Sequence, residues 1–279
     1  MEDNIYPKVH IIVLNWNNKE LTEQCLLSIQ RIDYPNYEIL IVDNNSSDGS
    51  IELFKNNFPD VKLLSLDKNL KYAGGNNAAI DYLSFNEDDF FLFLNNDTLV
   101  SRDFLHYLIN PFLNDPDCII SVPKILFSKD TNRVWYAGGV VSFWKGIINH
   151  IGIREFDGPR YSFPMETMYA TGCCLCIKAS DFEKLNRFDN TFTMYCEDVD
   201  LSVRAKQGIN KIKIVTAKPN AGFSNVLYEI PDALKAVISL SEDSFPKVIR
   251  VVTRTAIGIA NDIIHAEFKN RNFIIFRIK

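Results

Sequence analysis

The sequence predicts an α/β protein: an open, mostly parallel sheet flanked by helices, with a small antiparallel β portion and a helical tail at its carboxyl end. Three observations carry this expectation. A strand-like run followed by a helical run occurs three times before residue 84. A fourth strand-like run, residues 90–94 (FFLFL), is apolar throughout, as in a strand covered on both faces of a parallel sheet. Each of the four runs is followed by a loop rich in Asn and Asp. Alternating strands and helices bury their apolar faces by placing the sheet between helical layers.

Residues 9–14 (VHIIVL) form a short β-rich run, and residues 19–30 then place Leu21, Cys25 and Ile29 at helical spacing. The unit recurs at 37–43 (YEILIVD), followed by a polar loop and a helical stretch from Ile51. It recurs again at 61–66, followed by a helix over 74–83. After about residue 116 the pieces become shorter, with turn signals at Gly138-Gly139, Gly146 and Asp157-Gly158-Pro159, which predict hairpins and a mobile loop. Strand character returns over 168–177. Helices follow from Ser180 and from Glu197, and a strand over 211–216. The α/β body is expected to close near residue 224, giving one domain over 1–225 and a helical extension over 226–279. No internal repeat or low-complexity tract is present.

The chain has 279 residues, and 30 Lys and Arg against 35 Asp and Glu leave a net charge of −5. That lacks the basic excess needed to grip a phosphate backbone, so no nucleic-acid partner is expected. A hydrophobic content of 47% with 23% charged residues fits a compact globular fold. The longest uncharged runs, 134–144 and 167–177, fall short of the roughly 18–20 apolar residues that cross a bilayer. The opening MEDNIYPK has no apolar core ahead of a cleavage site, so no signal peptide is expected and the default compartment is the cytoplasm. Cys25, Cys118, Cys173, Cys174, Cys176 and Cys196 sit mostly inside apolar stretches and read as reduced core residues rather than as a disulfide framework or zinc knuckle.

In open α/β sheets ligands bind beyond the carboxyl ends of the strands. The residues there are Asn15-Trp16-Asn17-Asn18, the run from Asp43 to Gly49, Asp67-Lys68-Asn69 and Asn95-Asn96-Asp97. Any one of these loops alone reads as a turn or helix cap, and Asp48 reads as a cap of the helix near Ser50. Four at one edge point to a polar ligand. Gly74-Gly75 matches neither GxGxxG nor a Walker loop, which sets aside a dinucleotide or P-loop reading. Glu197-Asp198 opens a helix whose apolar face is Val199, Leu201 and Val203, and Asp200 stands four residues before Arg204, as in an i,i+4 ion pair.

The segments IIVLNWNN, EILIVDNNSSDGS, NLKYAGGNNAAI, FLNNDT, TGCCLCIKASDFEKLNRFDNTF and YCEDVDLSVRAKQG occur in an order and at spacings that resemble the inverting family 2 glycosyltransferases, particularly the rhamnosyltransferase-like branch. The resemblance spans about residues 8–215 and implies the GT-A fold, a Rossmann-like open sheet. It also implies transfer of a sugar from a nucleotide donor to an acceptor hydroxyl, with inversion. In that light Asp43 would accept N3–H of uracil or thymine, selecting a UDP- or dTDP-sugar over a CDP-sugar, with Asn15 and Asn45 beside it. Lys71, Gly75 and Asn76, next to Gly74 and Asn77, would contact nucleotide and phosphate. Asn95-Asn96-Asp97 occupies the position of the Asp-x-Asp metal motif, with Asn95 replacing its first carboxylate. Asn96 and Asp97 would meet the donor, and Asp97 with Asn95 a divalent cation, Mn²⁺ or Mg²⁺. Of the acidic pair, Asp198 is the first choice for the general base and Glu197 the second.

Two departures bear on this. Where the family often carries a metal-binding His, the chain reads Lys218-Pro219-Asn220-Ala221-Gly222-Phe223-Ser224. The alternatives are a weakly metal-dependent or metal-independent enzyme and a catalytically silent GT-A nucleotide-binding module in a polysaccharide-assembly complex. Of the four histidines, His150 on the expected mobile loop is the one placed to matter. The family's aromatic-Arg-Asn pattern appears only at Phe268-Lys269-Asn270-Arg271-Asn272. Lys247, Arg250, Arg254, Lys269, Arg271, Arg277 and Lys279 give the tail a basic bias, consistent with docking on the inner face of the cell membrane, where a lipid-linked glycan acceptor would lie. The alternative is a helix packed on the body or on another subunit of a homo-oligomer. The stretch around 135–151 is expected to line the acceptor site. A nucleotidyltransferase would need a Gly- and Arg-rich signature that the chain lacks.

Overall fold

The computed structural model describes residues 6–192, 195–206 and 211–215, together with 226–228, 252–253 and 262–263. Its first half follows the expected alternation. Strands β1 (Val9–Asn15), β2 (Tyr37–Asp43), β3 (Lys62–Ser65) and β4 (Phe90–Asn95) are linked by helices α1 (Lys19–Ile29), α2 (Ser50–Asn57) and α3 (Lys71–Tyr82). Parallel pairing sets Asn15 beside Asp43 and Leu14 beside Asn95, so the loops after β1, β2 and β4 emerge at one edge. The second half adds β5 (Thr98–Val100), α4 (Phe104–Asn114), β6 (Cys118–Pro123), β7 (Ile125–Phe127), β8 (Val134–Tyr136) and a hairpin of β9 (Gly139–Ser142) with β10 (Ile147–His150). It continues through β11 (Met165–Thr167), β12 (Cys174–Lys178), α5 (Ala179–Lys184), α6 (Glu197–Ala205) and β13 (Lys211–Val215).

The central sheet has eight strands in the order β11-β13-β6-β12-β4-β1-β2-β3. It is mixed, and mostly parallel: β12 runs antiparallel to both β4 and β6, and β11 antiparallel to β13. The direction of β12 matters most for the site. Because Cys174 pairs with Leu94 and Lys178 with Phe90, the chain enters β12 at the carboxyl edge of β4, and residues 170–173 arrive beside Asn95. The core is dense in aromatic rings around β4, where Phe91 and Phe93 are fully buried. Phe93 packs against Phe182 at 5.0 Å and Phe188 at 4.9 Å, within the range where ring pairs add to area burial.

Several local expectations shift. Helix α3 begins at Lys71, so Gly74 and Gly75 lie within the helix rather than forming a turn. Their reason is packing: a Cβ at Gly75 would press into Leu14 of β1 and one at Gly74 into Leu70. Of the run 168–177 only its end is strand, and Met165–Thr167 forms a separate one. Strand β5 separates Asp97 from α4, which begins at Phe104, so Asp97 caps no helix there. His150 lies not on a mobile loop but in β10, where it is half-buried. All six cysteines are free, and all but Cys196 are buried. Cys173, just before β12, and Cys176 within it stand three positions apart, an odd spacing that sends side chains of an extended chain to opposite faces.

Residues Val226–Tyr228, the first of the expected helical extension, form a strand, β14, between β5 and β7. Val252–Thr253 (β15) pairs with Asp262–Ile263 (β16). The rest of the extension, and the segment 218–224, lie outside the described residues. Among the described residues no helix is long and apolar enough to cross a membrane.

Candidate active site

One side of the site grows from the ends of β1 and β2. Asn15 and Asp43 are both fully buried, and Asn15 Nδ2 donates to Asp43 Oδ2 at 2.8 Å and to Ser46 Oγ at 3.1 Å. Asp43 Oδ1 accepts the Ser46 amide at 2.9 Å, an Asx turn that folds the loop back over the strand end. Asn15 Oδ1 accepts the Thr22 hydroxyl at 2.7 Å, and Asn96 Nδ2 donates to Thr22 Oγ1 at 2.7 Å. One hydrogen-bond network thus ties β1, β2, α1 and the loop after β4. Asn45 stands exposed with φ +64°, a left-handed conformation that Asn tolerates.

Lys71 is exposed, and its ammonium lies 5.6 Å from the centroid of the Trp16 ring, which is itself half exposed. Gly75 and Asn76 are buried behind it. Asn76 Nδ2 donates to the Tyr72 carbonyl at 3.0 Å, a bond within the helix. Two residues to which the motif reading gave no role matter here. Asn44 accepts the Leu70 amide at 2.7 Å and donates to the Lys71 carbonyl at 3.2 Å, which fixes where α3 starts. Trp16 offers a flat ring at the mouth of the crevice. Its signal in the sequence was an aromatic side chain directly after a strand end. Asp48 behaves as the cap it was read to be, accepting the Ser50 amide at 3.1 Å and the Ser50 hydroxyl. It also takes the Lys19 amide at 3.2 Å, joining the starts of two helices.

The other side of the site is built on α6. Asp198 Oδ2 accepts the Gly172 amide at 2.8 Å and Oδ1 the Val199 amide at 2.8 Å. Two amides favour the charged form and work against burial, which raises the Asp198 pKa. Glu197 is buried, and its Oε2 has no hydrogen-bond partner among the described residues. Burial, and then the charge of Asp198, push its pKa up to about 8. Tyr195 and Cys196 enter the helix with φ of 68° and 72°, a backbone that ordinary side chains adopt only under constraint. The Asp200–Arg204 pair forms as read, with Arg204 Nη2 at 2.7 Å from Asp200 Oδ2, and Arg204 also holds the Leu185 and Arg187 carbonyls.

Asp97 is 7% exposed. After burial, its charge is the next cause that raises the Cys173 pKa, and the charge of Asp198 adds to it, so both carboxylates stand within electrostatic reach of one thiol. His150 Nδ1 donates to the Trp135 carbonyl at 3.2 Å and lies against the rings of Trp135, Tyr136 and Tyr169. Burial lowers its pKa to about 4, so it is a neutral wall residue. For a divalent cation the donors at hand are the Asp97 carboxylate and the amide oxygens of Asn95 and Asn96. No three His, Cys, Asp or Glu side chains gather to hold one among the described residues. Such a sparse set fits a hard cation bound mainly through substrate phosphate oxygens, not a site made of protein alone. A cleft of about 830 Å³ opens at the opposite edge, lined by Lys8, Asn36, Asp89, Phe112, Lys178 and Asp181. It holds none of the residues above.

A mostly parallel sheet with an amide- and carboxylate-bearing edge facing an acidic helix start has the layout of a GT-A glycosyltransferase. Residues 10–185, more than half of the chain, match the family Glycosyl transferase family 2, and the chain belongs to it. It is 29% identical over 217 residues to the O-antigen biosynthesis protein RfbC of Myxococcus xanthus, covering 74% of this chain and 16% of that protein. It is 26% identical over 211 residues to the rhamnosyltransferase WbbL of Escherichia coli (strain K12), covering 70% of this chain and 76% of that protein. Among solved structures, GalNAc-T7 with UDP, GalNAc and Mn²⁺ superposes with a TM-score of 0.63 at 15% identity, over 81% of this chain and 44% of that one.

Proposed function

We propose that this protein transfers a sugar from a UDP- or dTDP-sugar to an acceptor hydroxyl of a growing glycan or lipid-linked saccharide, with inversion. The observation that carries the reading is Asp198, a carboxylate at the start of α6 oriented by two backbone amides. Asp43 would accept N3–H of the base. It already accepts from Asn15 and Ser46, and a carboxylate has about four lone-pair sites, so capacity for a third donor remains. Trp16 would offer the base a stacking face, and Lys71 would approach the diphosphate. Asp198 takes the proton of the acceptor hydroxyl as its oxygen bonds to the anomeric carbon. The bond from that carbon to the diphosphate oxygen breaks, and the nucleoside diphosphate leaves with the electron pair. A divalent cation, held by Asp97 with Asn95 or Asn96 and by the diphosphate, would stabilise the leaving group.

The printed names of the relatives, O-antigen biosynthesis and rhamnosyltransferase, support surface-glycan synthesis and a deoxysugar donor. Division into a catalytic domain over 1–225 and an extension over 226–279 belongs to the same proposal. So does a peripheral contact of the basic tail with the inner face of the membrane, or its packing in a homo-oligomer. The absence of His from 218–224 favours a second reading, a silent nucleotide-binding module. Calorimetric titration of UDP, dTDP, CDP and GDP, with Mn²⁺ and with EDTA, tests nucleotide recognition, and turnover that disappears in Asp198→Asn excludes the silent module. Absence of any nucleotide binding would sink both readings.

A further inference from the structure

The path from the donor-side helix to the proposed base runs through one glycine. Tyr72, in the first turn of α3, donates its hydroxyl to the Gly172 carbonyl at 2.6 Å, and the Gly172 amide donates to Asp198 Oδ2 at 2.8 Å. Gly172 has no side chain to anchor it, and none would fit. A Cβ there would sit 2.9 Å from the Tyr72 hydroxyl oxygen and 3.5 Å from Asp198 Cβ. Its torsions are therefore set by the two hydrogen bonds it makes, since glycine itself restricts them least. The Tyr72 ring is held edge-on to Phe188 at 5.5 Å and 73°. The preceding residue, Lys71, is pinned through its carbonyl by Asn44.

We propose that Tyr72 is a positioning residue for Asp198, its hydroxyl holding Gly172 so that the Gly172 amide fixes the rotamer of the carboxylate. This rests on the reading of Asp198 as general base. Without the hydroxyl Gly172 is free to turn, the carboxylate loses one aimed amide, and its charged form is less favoured. The groups that face Asp198 are Glu197 and Cys196 on its own segment, Tyr72 on α3, Tyr136 on β8, and Tyr169 and Cys173. Burial pushes the tyrosines and cysteines upward, so they stay neutral while Asp198 titrates.

The test is a carboxyl-carbon NMR titration of the full chain as wild type, Tyr72→Phe, Tyr34→Phe and Asp198→Asn, the last assigning the resonance. Tyr34 is the matched control. It is buried, and its hydroxyl likewise donates to a backbone carbonyl, that of Pro7 at 2.7 Å, before the start of β1. Tyr72→Phe is expected to raise the Asp198 midpoint by about half a pH unit or more and to speed exchange of the Gly172 amide. Turnover of a UDP- or dTDP-sugar should fall about tenfold with donor KM within about twofold. Tyr34→Phe is expected to lower Tm alone. An unmoved midpoint with unchanged Gly172 exchange, or an equal shift in Tyr34→Phe, overturns the proposal. Retained turnover in Asp198→Asn would instead overturn the general-base reading, while the midpoint still decides whether Tyr72 holds Asp198 in place.

Discussion

Asn15 and Asp43 occupy paired positions at the ends of adjacent parallel strands, and the amide nitrogen of one donates to the carboxylate of the other at 2.8 Å, with both side chains fully buried. A carboxylate so enclosed is held in one orientation, and Asn15 supplies a hydrogen bond that water cannot.

Replacing Asp43 by Ala should remove base recognition. We expect UDP and dTDP affinity to fall by about tenfold or more while CDP binding, weak already, changes little. Calorimetry on both proteins reads this directly, and an unchanged preference among nucleotides would exclude Asp43 from the base site.

Donor binding should depend on a divalent cation only through the diphosphate. EDTA is expected to weaken UDP or dTDP binding in the wild type and to have no further effect in Asp97→Ala, whereas uridine, which lacks phosphates, should bind alike in both. Equal binding with and without EDTA in the wild type would remove the cation from the mechanism.

Glu197 makes stability depend on pH with a definite sign. Its folded pKa of about 8 lies above the ordinary value of 4.5, so between those two values the folded protein binds more protons than the unfolded chain. Stability contributed by this group is present below 4.5 and is lost as pH rises toward 8. Thermal unfolding across that window should show a decline in Tm that is flatter in Glu197→Gln. Parallel curves for the two proteins would refute it.

Gly139 lies where a Cβ would overlap the ring of Tyr169, which is buried and cannot swing into solvent. Gly139→Ala should cost about 2 kcal/mol by urea unfolding. It should also disturb turnover, because the charge of Asp198 is felt by the same tyrosine. Wild-type stability in this variant would mean that the β9 segment moves away freely.

Asp48 as a cap and Asp200 with Arg204 as an ion pair were readable because each partner lies within four residues. Asn15 and Asp43, 28 positions apart, were each readable for a different reason: a polar residue at the end of an apolar strand marks the edge where ligands bind. His150 was misread because a turn-rich, uncharged segment signals a loop, and nothing local announces that Trp135, Tyr136 and Tyr169 close around the ring. Gly74 and Gly75 looked like a turn because a glycine pair usually is one. Here the pair instead lets a helix lie close to Leu14.

By itself the sequence determined the alternation of strands and helices, the edge at which the polar loops emerge, and the family to which the chain belongs. Periodicity, capping and strand-end chemistry act over a few residues, and so they are written in neighbouring letters. The tertiary structure alone decided that β12 runs backwards beside β4, that Gly172 arrives within reach of Tyr72, one hundred positions earlier, and that Asp198 receives its amide. Those contacts depend on strand order and register, which arise from burying the whole apolar surface at once rather than from any local pattern.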